Sequence, residues 1–163
     1  MNRKTYTVLG AALLAVAALF AFQHAGSALA ATNAVTTAGG TQLHDVAAQT
    51  KQFMRLDDQL RLTPAQEQIR VEALSTIPAP CCSDNPMTTC CCPCNLAKSV
   101  WGLSKYLITQ KGAGVAEVHQ AALDWIAFIN PGGFTGDACY TGGCGRPARA
   151  DGCGGMNEAS PVF

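Results

Sequence analysis

Six of the fourteen residues from Cys81 to Cys94 are cysteine, in the order C-C-S-D-N-P-M-T-T-C-C-C-P-C, and three more follow at Cys139, Cys144 and Cys153. A core does not need that density, because cysteine packs only as a small hydrophobe. The chemistry on offer is thiol exchange or the binding of a thiophilic metal. Cys91-Cys92-Pro93-Cys94 is a C-x-x-C unit at the start of a predicted helix. Unpaired N–H groups and the positive end of the helix dipole favour thiolate there. Thiolate is both the nucleophile of disulfide exchange and the ligand of soft metals, so the unit suits either use.

The neighbouring cysteines narrow the options. Cys81-Cys82 and Cys90-Cys91-Cys92 are adjacent residues that can pair with each other only through a strained small ring. Each must bond elsewhere or bind something. Cys81, Cys82, Cys90, Cys91, Cys92 and Cys94 are therefore the candidate metal ligands. Four thiolates in a tetrahedron suit zinc, and a smaller set suits Cu(I). Met87, inside the same loop, is a soft extra ligand for copper or a packing residue. For redox chemistry the pair is Cys91 and Cys94, one attacking and the other resolving. Cys139, Cys144 and Cys153 lack the short paired spacing of a zinc ribbon and read as structural cysteines that fix the tail onto the loop.

Other residues offer less. His119 and His44 read as boundary or surface histidines, and Trp101 and Trp125 as helix-face core residues. Asp84, Asp137 and Asp151 stand among cysteines, where turn chemistry explains them as well as ligation does. No serine nucleophile, phosphate loop or paired-carboxylate motif is present.

The compartment follows from the first thirty residues. Arg3 and Lys4 precede an apolar run from Val8 to Phe22, and Ser27-Ala28-Leu29-Ala30 closes it. That is the pattern of a secretory signal peptide over 1–30, cleaved after Ala30, and it predicts a periplasmic or secreted protein. The membrane is then a partner only through the export signal. Outside the cytosol disulfides are the default fate of cysteine, and nine is odd, so at least one sulfur is left for a thiol, an ion or an intermolecular bridge. Losing Arg3 and Lys4 leaves nine Lys or Arg against eleven Asp or Glu in the remaining 133 residues. A near-neutral surface without a basic stripe argues against nucleic acid as a partner.

The elements that must position the cysteines are helical. Residues 31–42 read as a flexible lead, and 43–131 as a helical domain carrying the cysteine-rich loop 78–94. Val46, Phe53 and Leu60, with Ala47 and Met54 beside them, give a first helix over 43–62. Thr63-Pro64-Ala65-Gln66 is a helix start with a capping box, and Ile69, Ala73 and Leu74 give the second helix its apolar side. Pro78 and Pro80 end it. A third helix is expected from Pro93, with Cys92 as its cap and Cys94 in its first turn, burying Leu96, Val100, Leu103 and Leu107. Lys111-Gly112 ends it. Val115, Val118, Ala122, Trp125, Ile126 and Ile129 mark a fourth helix, closed by Asn130-Pro131. Residues 132–163 form a Gly- and Cys-rich irregular tail, ordered only if its cysteines tie it down. The expected class is all-α, a small three- to four-helix bundle.

The stretch from Leu62 to Phe134 resembles the CcmH-type periplasmic thiol oxidoreductases of cytochrome c maturation. Leu62-Thr63-Pro64-Ala65-Gln66-Glu67 with Leu74 is similar to that family's first helix, Lys111-Gly112 to its glycine turn, and Val115 to Ile129 to its third helix. The family's L-R-C-x-x-C-Q signature is replaced here by proline-flanked Cys81-Cys82, and its Arg-Tyr-Gly run is absent. The resemblance implies a three-helix bundle and a redox-active pair, carried onto Cys91 and Cys94 by chemistry. Three functions follow in order: soft-metal binding to copper or zinc, thiol–disulfide exchange with a thiol-containing partner protein, and a disulfide-stapled structural or interaction domain. Whether the chain is an enzyme turns on the choice between the first two.

Overall fold

Local capping decides where the helices begin. The computed structural model describes residues 34–80, 82–90, 93–134, 146–150, 152–156, 161 and 163. Four α-helices dominate them: α1 (Val46–Gln59), α2 (Pro64–Ser75), α3 (Asn95–Tyr106) and α4 (Val115–Ile129). At α2 the expected capping box is present. The Thr63 hydroxyl accepts from the Gln66 N–H at 3.3 Å, the Gln66 side chain accepts from the Thr63 N–H at 3.0 Å, and Pro64 opens the first turn. At α4 the Glu117 carboxylate accepts the Gly114 N–H at 2.8 Å. At α1 the cap is Asp45, whose carboxylate accepts the Ala48 N–H at 2.9 Å.

The helix α1 is shorter than its apolar pattern suggests, and the face it buries centres on Phe53 as expected but is filled out by polar residues. Leu43 lies outside it, and the fully buried positions are Gln49, Thr50 and Phe53. Ala47 is exposed, and Met54 and Leu60 are only half-buried. Gln49 can be buried because its amide is fully used: it accepts from the N–H of His44 and Asp45 and donates to the Gln42 carbonyl at 2.7 Å.

The protein is mostly helical, but the expectation of an all-α chain is not met. Two small antiparallel pairs are present, β1 (Val35–Thr36) with β2 (Gln42–Leu43), and β3 (Pro78–Ala79) with β4 (Cys82–Pro86). The first pair lies within and just after the segment read as a flexible lead, turning back through Gly40 at a φ of 72°. The second turns the cysteine-rich loop into an irregular hairpin, with Ala79 opposite Cys82 and Pro78 opposite Pro86. β1, β2 and β3 are too short for the alternation that marks a strand in sequence, although β1 is the β-branched pair Val35–Thr36.

The core lies where α1 packs along α3, α2 along α4, and α3 against α4. The stripe Leu96, Val100, Leu103 and Leu107 is buried as expected, and so are Val118, Ala122, Trp125 and Ile129, with Ala121 added. Trp125 stands edge-on to Phe53, with ring centroids 5.0 Å apart, and its indole N–H donates to the Ser99 hydroxyl at 3.0 Å. Trp101 is only half-buried, and its N–H donates to the Met87 carbonyl at 2.8 Å. Beyond α3 a single wide turn (Leu107–Lys111) leads to Gly112 at a φ of 67°, the left-handed cap expected there. Among the described residues no helix is long and apolar enough to cross a membrane. The expected signal peptide lies outside them.

Candidate functional site

The cysteine-rich loop enters α3 through a short 3₁₀ turn (Met87–Thr89), Cys90 and then Cys94. The helix begins later than its sequence suggests. Cys94 is itself the N-cap, in extended backbone at φ −72° and ψ 167°, and Asn95 is the first helical residue. The Cys94 sulfur accepts the Ala97 N–H at 3.5 Å, three residues on, where a serine hydroxyl would otherwise sit. This displaces the expectation that Cys92 is the cap and Cys94 lies inside the first turn.

The remaining free N–H groups of the α3 N-terminus are taken by the tail. A second 3₁₀ turn (Ala148–Ala150) brings the chain back, and residues 152–156 lie across the helix start. Asn95 N donates to the Gly155 carbonyl at 2.9 Å and Leu96 N to the Cys153 carbonyl at 3.3 Å. The Asn95 side chain donates to the Gly154 carbonyl at 3.2 Å, and Lys98 Nζ to the Met156 carbonyl at 3.3 Å. Gly154 and Gly155 adopt φ of 70° and 85°, a backbone that other residues rarely take, so that successive carbonyls can face one helix end. The tail is held to itself as well, Gly152 N donating to Pro147 O at 3.0 Å and Gly154 N to Arg146 O at 3.3 Å. No N–H is left over for an outside anion.

Three separate segments contribute buried cysteines to the hydrophobic core. Cys82 on β4 is 0 % exposed, Cys90 8 %, Cys94 1 % and Cys153 0 %. The Asn85 amide donates to the Cys82 sulfur at 3.2 Å. Met87 is fully buried in the same core. Donors aimed at two of the sulfurs stabilise charge on them, while burial opposes it. Cys81, Cys91, Cys92, Cys139 and Cys144 lie outside the described residues. Among the described residues no three of His, Cys, Asp and Glu gather as a ligand set.

The other candidates have structural partners. His119 is half-buried with Nδ1 2.8 Å from the Ala73 carbonyl, which ties α4 to α2, and His44 Nδ1 lies 3.3 Å from Gln42 O at the surface. Two features escaped sequence reading. One is a cleft of about 430 Å³ between α1, α2 and α3. It is walled by Asp57 paired with Lys105 at 2.6 Å and by Glu67 paired with Arg70 at 2.5 Å. The Arg70 guanidinium beside Glu67 holds its carboxyl below the ordinary value, against a smaller opposing effect of burial. The other is an uncharged groove of about 560 Å³ between β3 and the end of α4, floored by Ile77 and Ala79 and rimmed by Leu123, Ile126 and Phe134. Both join residues distant in sequence, so no local pattern announces them. Asn95, the tail's main anchor, was also missed, because a polar residue after C-x-x-C carries no signal of its own. No family model, no curated protein and no solved structure matches this chain.

Proposed function

We propose that this is an exported, cysteine-rich helical bundle that holds a soft metal ion, zinc or copper, through thiolates at the start of α3. The ligands are drawn from Cys81, Cys82, Cys90, Cys91, Cys92 and Cys94. One observation carries the reading. Cys94 is the N-cap of α3, with its sulfur accepting a backbone N–H, and the described cysteines of the hairpin and the tail are buried in the hydrophobic core. A hydrogen bond to sulfur at the positive end of a helix favours thiolate, and a dry shell around thiolates favours a soft ion that is retained. The ion would supply cross-linking of segments that share no long strand or helix, as structural metals do in small domains.

The reading is of a binding protein and not an enzyme. A sulfur 1 % exposed suits retention better than turnover, and this ranks thiol–disulfide exchange by Cys91 and Cys94 below metal binding. A disulfide-stapled domain is the second reading, favoured by the complete burial of Cys153 where the tail meets α3.

The deciding experiment is intact mass of the exported protein, native and then denatured with a thiol-alkylating label. Metal binding is expected to give a native mass excess equal to an ion and four or more labelled cysteines after denaturation. One labelled cysteine and no excess would leave eight sulfurs in bridges and end the metal reading. The same spectrum reads the N-terminus, expected at Ala31 if the signal peptide is removed.

A further inference from the structure

The cleft of about 430 Å³ between α1, α2 and α3 shares no residue with the proposed sulfur ligands. Its volume falls within the ~300–1,000 Å³ usual for small-molecule sites. Asp57, Glu67, Arg70 and Lys105 line it together with Thr88 and Trp101. The Asp57, Arg70 and Lys105 side chains are only 14 %, 14 % and 18 % exposed. With two charges of each sign, the four sum to zero. The Arg70 hydrogen bond lowers the Glu67 carboxyl most, and Lys105 adds a smaller pull in the same direction, so the two ion pairs share one field.

The pairing leaves hydrogen-bonding capacity over. Lys105 Nζ donates to the Asp57 carbonyl at 2.7 Å and meets Asp57 Oδ1 at 2.6 Å, which uses two of an ammonium's three donors and one carboxylate oxygen. Arg70 spends Nε and one Nη2 donor on Glu67, at 3.0 and 2.5 Å, and keeps the opposite edge of its guanidinium. Asp57 Oδ2 and the Thr88 hydroxyl form no hydrogen bond among the described residues. The Trp101 N–H is spent on the Met87 carbonyl, so this side chain offers the cleft its apolar ring. A ligand with a single charge would leave that charge unbalanced among half-buried ions, which costs binding energy. A ligand carrying both signs a few atoms apart keeps the sum at zero.

We propose that this cleft binds a free α-amino acid with an apolar or aromatic side chain. Its carboxylate takes the remaining donors of Arg70, Lys105 and Thr88, its ammonium takes Asp57 Oδ2, and its side chain lies on the Trp101 ring. Binding is non-covalent and does not depend on the metal reading.

Calorimetry and tryptophan fluorescence of the intact exported protein test it, with L-phenylalanine and L-leucine as probes and hydrocinnamate and phenethylamine as single-charge controls. Trp101 is the reporter, because Trp125 is fully buried against Ser99. The expected result is saturable one-to-one binding of the amino acids, with both controls at least about tenfold weaker. No saturable response to either amino acid up to about 10 mM would overturn the site. A control that binds as well as L-phenylalanine would overturn the two-sign ligand. Arg70→Gln is expected to weaken binding at least about tenfold with circular dichroism unchanged, and wild-type affinity would overturn the location. If that variant loses its helices, Thr88→Val carries the test, since it leaves both ion pairs in place. A several-fold loss is then expected, and unchanged binding would overturn the assignment.

Discussion

Gly102 of α3 lies directly against the backbone carbonyl of Phe53 in α1, so closely that a methyl group on residue 102 would overlap that oxygen. The contact is backbone to backbone, and neither partner can rotate away. Gly102→Ala is therefore expected to destabilise the domain by about 3 kcal/mol, the upper end of overpacking costs, despite the better helix propensity of alanine. Urea denaturation of the variant checks it. A neutral result would mean that α1 and α3 slide apart at no cost.

Cys94 combines a capping role with a proposed ligand role, and the two separate by substitution. Cys94→Ser keeps an acceptor at the N-cap and is expected to retain helix content while lowering the bound ion stoichiometry. Cys94→Ala is expected to lose the ion and a further ~1 kcal/mol of stability from the missing cap. Native mass and thermal unfolding of the two variants, side by side, decide the matter.

Met87 is fully buried in the core, and Trp101 donates to its carbonyl. If packing is its whole role, Met87→Leu conserves volume and costs under about 1.5 kcal/mol with ion binding unchanged. Loss of Cu(I) but not of Zn²⁺ in that variant would instead make the thioether a ligand.

Glu67 gives a pH-dependent signature. The Arg70 hydrogen bond lowers its folded value below the ordinary 4.5, so its contribution is present above that value and is lost as pH falls through the lower folded one. Its side chain is 43 % exposed, which screens the pair to well under about 1 kcal/mol. Glu67→Gln is expected to be slightly less stable than wild type at pH 7, with the difference closing in acid. A constant difference across pH would assign the loss to packing.

The helices were legible in the sequence because their signals are local. The Thr63 box needs three residues, and the stripe from Leu96 to Leu107 needs only a period. Reading failed where partners lie far away. β4 exists because Ala79 pairs with Cys82 and Pro78 with Pro86, and the tail docks on α3 because Asn95 meets Gly154 across 59 positions. Gln49 and Thr50 broke the apolar stripe of α1 because burial there follows what packs on the helix, not the type of residue facing inward. At the sulfur site the cysteine types were visible from the start. The N-cap fell on Cys94 because cysteine fills a serine's place, which propensity alone does not reveal.

The same 59-residue span sets the order in which the chain can complete itself. The two N–H groups that open α3 meet their acceptors only in residues 153–155, beyond the whole of α4 in the chain. Closing so long a loop is slow relative to winding a helix. The N-terminus of α3 is therefore finished by the far end of the chain, and a truncation before residue 153 would leave its first two N–H groups without these acceptors.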